Sequence, residues 1–306
     1  MIFLPEKTIV TGGTGMIGSQ FENALVLSRK TGCDLRDFNQ TMEHFVNIKP
    51  EYVIHLAARV GGVLENSKYP GEFFYDNIMI NTNVLEASRI IGVKKIVSFL
   101  STCIFPDNIE YPLTENTIHD GPPPKTNYAY AYSKRMLEIQ SRTYREQYGI
   151  NCICIIPANV YGPMDNFNLE SGHVIPSLIY KCYLAKKENK NFEIWGSGNP
   201  LREFVFSGDI AQLTKIILLE YNENDPINLT NSEEISIRKI AEIIANCMEF
   251  EGKIIYDETK PEGQFRKPSS NEKLKKYWPD FKFTSLEDGI QFTCKWFLKN
   301  YPNIRK

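Results

Sequence analysis

Gly12-Gly13-Thr14-Gly15-Met16-Ile17-Gly18 is the stretch of sequence that decides the fold. It follows an apolar, strand-like run at residues 8–11 and precedes a helical pattern. In a G-x-x-G-x-x-G pattern, Gly12 permits a sharp turn, Gly15 lets the backbone approach a pyrophosphate, and Gly18 lets helix and sheet pack closely. The N-terminus of the following helix then faces the phosphates. This context favours a nucleotide-binding loop over a plain strand-to-helix turn.

The rest of the first half alternates strand-like and helix-like segments. Buried-type strands are predicted at residues 52–57, 95–100 and 152–156, and long helices at residues 72–91 and 131–148. This alternation is typical of an α/β protein with a Rossmann-type, doubly wound parallel sheet. Later in the chain, shorter elements are separated by loops rich in Asn, Pro and Gly. We expect a nucleotide-binding domain over residues 1–163, to which later segments return, and a smaller, mainly substrate-binding lobe over residues 164–306.

The composition limits the possible partners. The 306 residues are 42% hydrophobic and 24% charged, with a net charge of −2, as in ordinary globular proteins. Such a balance offers no field that attracts nucleic acid or an anionic membrane surface. The longest apolar runs are far too short to span a bilayer, and no signal peptide is visible. Seven cysteines without C-x-x-C spacing predict reduced thiols, no metal site and a cytoplasmic protein.

The residues expected near the adenosine ribose favour a phosphorylated cofactor. Ser28-Arg29-Lys30 carries two cations where an acid would bind two ribose hydroxyls. The pair predicts a bound 2′-phosphate, and so NADP(H) over NAD(H); a solvated basic loop is the alternative. Asp34 and Leu35 suit the adenine edge. Only nine residues separate Gly18 from Ser28, so the first helix or the second strand must be shortened.

A second group of residues suggests carbonyl reduction. Tyr130 and Lys134 are four residues apart on a predicted helix and so share one face. A nearby ammonium lowers the pKa of a phenol, which suits proton donation to a carbonyl that is being reduced. Ser101 follows the strand at residues 95–100, at the sheet edge where ligands bind. Its hydroxyl can bind the same carbonyl oxygen, so we predict a Ser–Tyr–Lys constellation.

Further stretches match one known family over nearly the whole chain. They are Val60-Gly61-Gly62, Leu100-Ser101-Thr102-Cys103-Ile104-Phe105-Pro106, Pro157-Ala158-Asn159-Val160-Tyr161-Gly162-Pro163, Asp165-Asn166-Phe167-Asn168, Gly172-His173-Val174-Ile175-Pro176, Trp195-Gly196-Ser197-Gly198, Arg202-Glu203-Phe204 and Trp296-Phe297-Leu298. Through them the chain resembles the GDP-L-fucose synthases, a family of extended short-chain dehydrogenases/reductases. Ala158 and Met164 depart from its usual threonine and histidine, and Glu262 stands where Asp is common.

The resemblance implies a role for each matching residue. Ser101, Tyr130 and Lys134 would form the reductase triad, and Cys103 and His173 would be the base and acid of epimerisation. The residues expected to bind NADP(H) are Gly12, Thr14, Gly15, Met16, Ile17, Arg29, Lys30, Asp34, Leu35, Leu56, Ala57, Ala58, Tyr130, Lys134, Pro157, Asn159, Val160 and His173. Those expected to bind the GDP-sugar are Asn166, Val174, Lys181, Trp195, Arg202 and Glu262.

The same residues leave two other functions as alternatives. A C-4 reductase without epimerisation is the main alternative, and a catalytically silent nucleotide-binding protein is the second. The presence of Cys103 and His173 argues against the first, and the intact triad argues against the second.

The two long helices, from residues 72 and 131, carry apolar residues on more than one face. In the resembling family they pair across a dimer interface, so we expect a homodimer with a four-helix bundle.

Overall fold

The computed structural model describes residues 2–260 and 263–306, so the expected substrate residue Glu262 lies outside the described residues. The strands are β1 (Thr8–Thr11), β2 (Leu25–Leu27), β3 (Tyr52–His55), β4 (Lys95–Phe99), β5 (Asn151–Pro157), β6 (Asn159–Tyr161), β7 (Phe192–Trp195), β8 (Leu201–Phe206), β9 (Ile227–Leu229), β10 (Glu234–Ser236) and β11 (Ile254–Asp257). The α-helices are α1 (Phe38–Ile48), α2 (Val63–Lys68), α3 (Pro70–Ile91), α4 (Tyr128–Tyr148), α5 (Val174–Glu188), α6 (Ser207–Glu220), α7 (Ile237–Cys247), α8 (Glu272–Tyr277) and α9 (Leu286–Asn300). None of the described helices is long and apolar enough to cross a membrane.

The first compact unit comprises residues up to 109, Thr114–Pro157 and Ile210–Leu229. Its strands form one parallel sheet in the order β2-β1-β3-β4-β5-β9. The chain moves outward from β1 to β2 and then returns past β1 to β3. Ligands of such sheets bind where this reversal occurs, at the carboxyl ends of β1 and β3. The predicted Rossmann-type fold class is confirmed.

The strands of this sheet form because their apolar runs are buried on both faces. Ile9, Ile54, Ile96 and Ile153 are all completely buried. The long helices α3 and α4, expected from the sequence, pack against each other. Helix α3 follows β3, and helix α4 follows β4. The start of α4 therefore lies near the end of β4.

The segment after the glycine-rich turn differs from the sequence prediction. The described chain forms a single 3₁₀ turn at Gly18–Gln20 and then enters β2. The predicted helix opening at this point is therefore wrong, whereas the expected shortening is observed. The residues between Gly18 and β2 are too few for an α-helix and a return to the sheet. Phosphate binding by a helix N-terminus, as the sequence suggested, has no α-helix here to provide it.

The second compact unit comprises Glu110–Leu113, Ala158–Asp209 and Thr230–Lys306. The chain enters it after Pro157, whereas the sequence suggested a boundary at residue 163. In this unit β8 lies between antiparallel β10 and parallel β6, and β7 pairs with parallel β11. An apolar core connects α5, α7 and α9, where Phe167, Ile179, Ile244 and Phe297 are completely buried.

Candidate active site

The glycine-rich turn lies at the reversal point of the parallel sheet. Gly12 adopts a φ of +69°, and a Cβ there would lie 2.9 Å from the backbone nitrogen of Ala57. A Cβ on Gly18 would lie 2.5 Å from the Cα of Gly13, so the turn is folded closely on itself. Both positions therefore require glycine. The structure brings together two sets of expected cofactor residues, one after each strand: Gly12, Thr14, Gly15, Met16 and Ile17 after β1, and Leu56, Ala57 and Ala58 after β3.

A buried asparagine on α3 holds the segment after β3. Asn77 Oδ1 accepts a hydrogen bond from the backbone N–H of Arg59 (2.9 Å), and its Nδ2 donates to the Arg59 carbonyl (3.1 Å). A third bond from Nδ2 to the Phe73 carbonyl (2.7 Å) fixes the amide on its own helix. Sequence reasoning missed Asn77. The signal for it was a polar residue within the apolar pattern of a long helix.

The two cations expected at the ribose follow β2. Ser28 Oγ accepts from the backbone N–H of Thr31 (3.3 Å) and so begins a 3₁₀ turn at Arg29–Thr31. Arg29 and Lys30 are exposed on this turn. The turn therefore presents both charges at the carboxyl end of β2, as a 2′-phosphate site requires.

The expected adenine-edge residues are engaged with protein groups. The carboxylate of Asp34 accepts hydrogen bonds from Arg36 Nη2 (2.6 Å) and Nε (2.9 Å). This pairing lowers the pKa of Asp34 and keeps it ionised. Leu35 is buried, and its carbonyl accepts from Asn83 Nδ2 (3.0 Å). Both residues are thus fixed in place by side chains that the sequence did not indicate.

The expected catalytic residues of the first unit surround the end of β4. Ser101 begins a 3₁₀ turn at Thr102–Ile104, and its Oγ accepts from the backbone N–H of Cys103 (3.4 Å). Lys134 Nζ donates to the carbonyl of Phe99, the last residue of β4 (2.7 Å). The same Nζ lies 5.9 Å from the ring centroid of Tyr130. The first turns of α4 therefore place the Tyr–Lys pair beside the strand end that carries the serine and the cysteine.

Burial determines the protonation of this pair. Desolvation raises the pKa of Tyr130, and negative charge on Cys103 raises it further. Desolvation lowers the pKa of Lys134 to about 8, and Cys103 opposes that change. The sequence-based expectation of a lowered phenol pKa is wrong for this structure, because desolvation disfavours the phenolate and Cys103 adds to that effect. Tyr130 therefore remains protonated and is available as a proton donor.

In the second unit, His173 lies beside a buried acid. His173 directly precedes α5, and its Nδ1 is 3.9 Å from Asp165 Oδ1. The Asp165 carboxylate raises the pKa of His173 although burial opposes this. Asp165 Oδ1 also accepts from the backbone N–H of Asn166 (2.7 Å). The expected substrate residues Asn166 and Val174 are thus both close in sequence to a histidine whose pKa is raised by a neighbouring carboxylate.

Three further expected substrate residues lie on α5, β7 and β8. The side chain of Trp195 is half exposed. Lys181 Nζ lies 4.3 Å from its ring centroid, and Lys260 Nζ lies 5.8 Å from the same centroid. Arg202 Nη1 donates to the Leu201 carbonyl (2.6 Å). A Cβ on Gly263 would lie 2.9 Å from Arg202 Nη2. A flat ring among cations suits a nucleoside diphosphate.

The remaining expected cofactor residues lie in the segment where the polypeptide passes from the first unit into the second. Pro157 ends β5, and Asn159 and Val160 begin β6. Asn159 Nδ2 donates to the Glu203 carbonyl (2.8 Å), which fixes this side chain on the neighbouring strand β8.

The doubly wound sheet, the glycine turn at its reversal point and the Tyr–Lys pair after β4 define a nucleotide-dependent oxidoreductase of the Rossmann class. A family model described as "NAD dependent epimerase/dehydratase family" matches residues 8–230. A GDP-L-fucose synthase of Dictyostelium discoideum is 46% identical over 98% of this chain and 98% of its own length. The chain therefore belongs to this family and, within it, to the GDP-L-fucose synthases, which confirms the resemblance seen in the sequence.

Two other comparisons agree with this assignment. A probable GDP-L-fucose synthase of Drosophila melanogaster is 39% identical over 98% of this chain and 100% of its own length. The crystal structure of a GDP-L-fucose synthetase from Naegleria fowleri bound to NADP superposes with a TM-score of 0.94. It is 42% identical and covers 100% of this chain and 97% of that one.

Proposed function

We propose that this protein is an NADPH-dependent GDP-L-fucose synthase, which epimerises GDP-4-keto-6-deoxy-D-mannose at C-3 and C-5 and reduces it at C-4. The observation that carries the proposal is the clustering of Ser101, Cys103, Tyr130 and Lys134 around the end of β4. A reductase needs the phenol and the ammonium, and a base for epimerisation is present beside them. The relatives named GDP-L-fucose synthase support the choice of substrate.

The first unit fits the cofactor. Gly12 lets the turn pack against the backbone of Ala57, Gly15 would let a pyrophosphate approach the backbone, and Arg29 and Lys30 would receive the 2′-phosphate. The segment after β3, fixed by Asn77, would line the same site. When bound, NADPH supplies the hydride that is added to C-4. Tyr130 supplies the proton to the carbonyl oxygen, and Ser101 donates a hydrogen bond to that oxygen.

The epimerisation at C-3 and C-5 depends on the ketone of the substrate. A carbonyl at C-4 acidifies the hydrogens at C-3 and C-5, so a base can remove each of them to form an enolate. Cys103 is the base, and His173, whose pKa the Asp165 carboxylate raises, returns the proton to the opposite face. Ser101 hydrogen-bonds the enolate oxygen as charge develops on it, so the same hydroxyl serves both reactions.

The substrate's GDP group accounts for a separate set of side chains. Trp195 offers a half-exposed aromatic face, and Lys181 lies directly over it. Burial lowers the pKa of both Lys181 and Arg202, so a bound diphosphate would compensate these poorly solvated charges. We assign these three residues to GDP.

A homodimer is the second part of the proposal. Tyr128, Tyr132, Met136 and Ile139 recur at helical spacing on α4, and every one of these side chains is exposed. Phe74 is exposed at the start of α3, and the two helices enclose a shallow cavity of about 290 Å³ at this end. An apolar stripe over two packed helices suits a two-fold pairing into a four-helix bundle.

A cytoplasmic location completes the proposal. Cys33, Cys152, Cys154 and Cys182 are buried free thiols. Burial raises their pKa values to between about 11 and about 12, so these residues remain protonated and unreactive at neutral pH. Reduced buried thiols are typical of proteins in a reducing compartment.

The test is incubation of the protein with GDP-4-keto-6-deoxy-D-mannose and NADPH, with the product sugar identified by NMR. GDP-L-fucose is the expected product. A C-4-reduced sugar with unchanged C-3 and C-5 would instead support the reductase-only function. Cofactor binding without turnover would support the silent nucleotide-binding protein.

A further inference from the structure

A fully buried histidine at the end of β3 has no part in the chemistry above. His55 Nδ1 lies 2.8 Å from Thr11 Oγ1, and its Nε2 lies 3.0 Å from Asn81 Oδ1. Thr11 Oγ1 also accepts from the backbone N–H of Ala57 (3.2 Å), and Asn81 Nδ2 donates to the carbonyl of Ser133 (3.3 Å). Five consecutive groups from β1, β3, α3 and α4 therefore form one continuous chain of hydrogen bonds.

The direction of this chain follows from its last member. The Ser133 carbonyl can only accept, so the Asn81 amide nitrogen must face it and the amide oxygen must face His55. Nε2 of His55 then carries the proton and donates to Asn81. A neutral imidazole with a proton on Nε2 accepts at Nδ1, so the Thr11 hydroxyl donates to it. Every donor in the chain thus points from Ala57 towards α4.

The hydrogen bonds also keep this order of donors and acceptors at physiological pH. Burial, and the charge of Lys134, lower the pKa of His55 to about 3. The imidazole is therefore neutral over the whole range in which the enzyme would work. A protonated ring would place a second donor against the Thr11 hydroxyl and break the sequence of donors.

The two ends of this hydrogen-bond chain lie at the proposed reaction centre. Ser133 lies between Tyr130 and Lys134 on α4, and its hydroxyl donates to the Tyr130 carbonyl (2.7 Å). At the other end, Ala57 lies against Gly12 of the nucleotide turn. The hydrogen bonds therefore connect the cofactor-facing end of β3 with the turn of α4 that carries both catalytic side chains.

We propose that Asn81, oriented by His55, is a positioning residue for the reduction step: it sets the α4 turn that carries Tyr130 and Lys134 relative to the cofactor-facing end of β3. The inference rests on the catalytic roles proposed for those two residues. Hydride transfer depends steeply on the placement of the reacting groups, whereas Cys103 lies on a different segment. Loss of these hydrogen bonds should therefore slow reduction more than proton exchange at C-3 and C-5.

Variants at position 81 test this directly in the full-length enzyme. Asn81→Leu removes both hydrogen bonds, and Asn81→Asp keeps an acceptor for His55 but has no proton to donate to Ser133 when ionised. We expect each to lower kcat for NADPH oxidation about tenfold or more, with the KM for the keto sugar and the rate of solvent-deuterium uptake changed less than about twofold. Asn81→Gln keeps the same amide and should recover part of kcat. His55→Gln, which can both accept from Thr11 and donate to Asn81, should stay within about threefold of the parent rate.

Two reference variants separate the possible failures. Tyr144→Phe removes another hydrogen bond between α4 and α3, to Glu86 (2.9 Å), and should leave kcat unchanged. Tyr130→Phe should abolish reduction; if it does not, the proposed catalytic assignment fails independently of Asn81. Parent-like reduction in soluble, folded Asn81→Leu and Asn81→Asp would overturn the positioning role. Equal losses of reduction and deuterium uptake would also overturn it, because they would indicate a general structural role. Should Asn81→Leu not fold, the comparison of Asn81→Asp with Asn81→Gln decides in the same way.

Discussion

Lys134 Nζ donates a 2.7 Å hydrogen bond to the carbonyl oxygen of Phe99, the last residue of β4. Ser101 follows Phe99 by two residues, and Tyr130 precedes Lys134 by one helical turn. This single bond therefore fixes the distance between the strand end and the helix that share the proposed chemistry. It also holds the ammonium in a buried place, where desolvation lowers its pKa to about 8.

The first prediction follows from that lowered pKa. Lys134 is charged below about pH 8 and loses its proton above it, whereas Tyr130 stays protonated across this range because its own pKa is raised. If the reduction needs the ammonium, kcat should fall about tenfold for each pH unit above about 8. Lys134→Arg keeps the charge at all these pH values, so its kcat should be lower but should not fall there. Single-turnover rates of NADPH oxidation measured from about pH 6 to about pH 10 check this. A parent profile that stays flat would remove the ammonium from the mechanism.

The second prediction concerns the choice of cofactor. Because Arg29 and Lys30 are exposed on the turn after β2, they should contribute a charged contact to the 2′-phosphate. The contact is worth about 1–3 kcal/mol, so NADPH should bind about 5- to 150-fold more tightly than NADH. The double variant Arg29→Ala, Lys30→Ala should lose most of this preference while its affinity for NADH is unchanged. Titration by calorimetry measures both. Equal affinities in the parent protein would contradict the assignment.

The third prediction separates the two chemistries. Cys103→Ala should abolish proton exchange at C-3 and C-5 but leave hydride transfer possible, which yields a C-4-reduced, unepimerised sugar. Tyr130→Phe should do the reverse, because reduction needs the phenol proton whereas the thiolate still works. His173→Ala should resemble the cysteine variant if it returns the proton to the enolate. Solvent deuterium incorporation, read by mass spectrometry and NMR, distinguishes the three. Normal formation of fully epimerised product by Cys103→Ala would leave only the reductase function.

The fourth prediction concerns Asp165, which raises the pKa of His173 from a distance of 3.9 Å. Without this carboxylate the imidazolium should lose its proton at a lower pH. In Asp165→Asn the alkaline fall in deuterium exchange should therefore move to lower pH, and the rate at neutral pH should decrease. Glu170→Gln, a change of an exposed acid in the same loop, is the matched control and should leave the profile in place. Identical profiles for Asp165→Asn and the parent protein would exclude His173 as the acid that Asp165 supports.

The fifth prediction concerns assembly. Met136 lies in the middle of the exposed stripe on α4, so a two-fold pairing would bury it close to its own copy. Met136→Asp would place two carboxylates in that interface and should raise the dimer dissociation constant about 30-fold or more, equivalent to about 2 kcal/mol. Met136→Leu keeps the volume and should remain dimeric. Sedimentation velocity at micromolar concentration measures both. A parent protein that sediments only as a monomer would refute the dimer.

Much of the fold could be predicted from local patterns. The apolar runs that became β1, β3, β4 and β5 are short and bounded by turn residues, and their alternation with long helical patterns allows few arrangements. The one clear error, at Gly18–Gln20, arose from applying the usual strand–turn–helix unit to a segment that is too short for it. Counting residues to β2 had already indicated the conflict.

The candidate site divides in a similar way. Tyr183–Lys187 and Tyr256–Lys260 have the same spacing as Tyr130–Lys134, so the catalytic pair could be found only from its spacing together with its position on the helix after the strand at residues 95–100. The roles of Asp165, Asn77 and His55 could not, because each depends on a partner that is distant in the chain or fixed only by the turn geometry. The same is true of the Tyr130 pKa, since the sequence shows that an ammonium is near but not how much water the phenol has lost.

The sequence by itself therefore predicted the alternation of strands and long helices, the glycine turn and the Tyr130–Lys134 pair, which follow from periodicity, residue type and spacing along the chain. Cys103 and His173 were indicated only by the resemblance to a known family. The tertiary structure alone decided that the described segment between the glycine turn and β2 forms a 3₁₀ turn instead of an α-helix, that Tyr130 keeps its proton, and that hydrogen bonds through His55 and Asn81 connect β3 with α4. The physical reason is that desolvation and hydrogen bonding depend on which groups the fold brings within a few ångströms, and local sequence patterns do not contain that information.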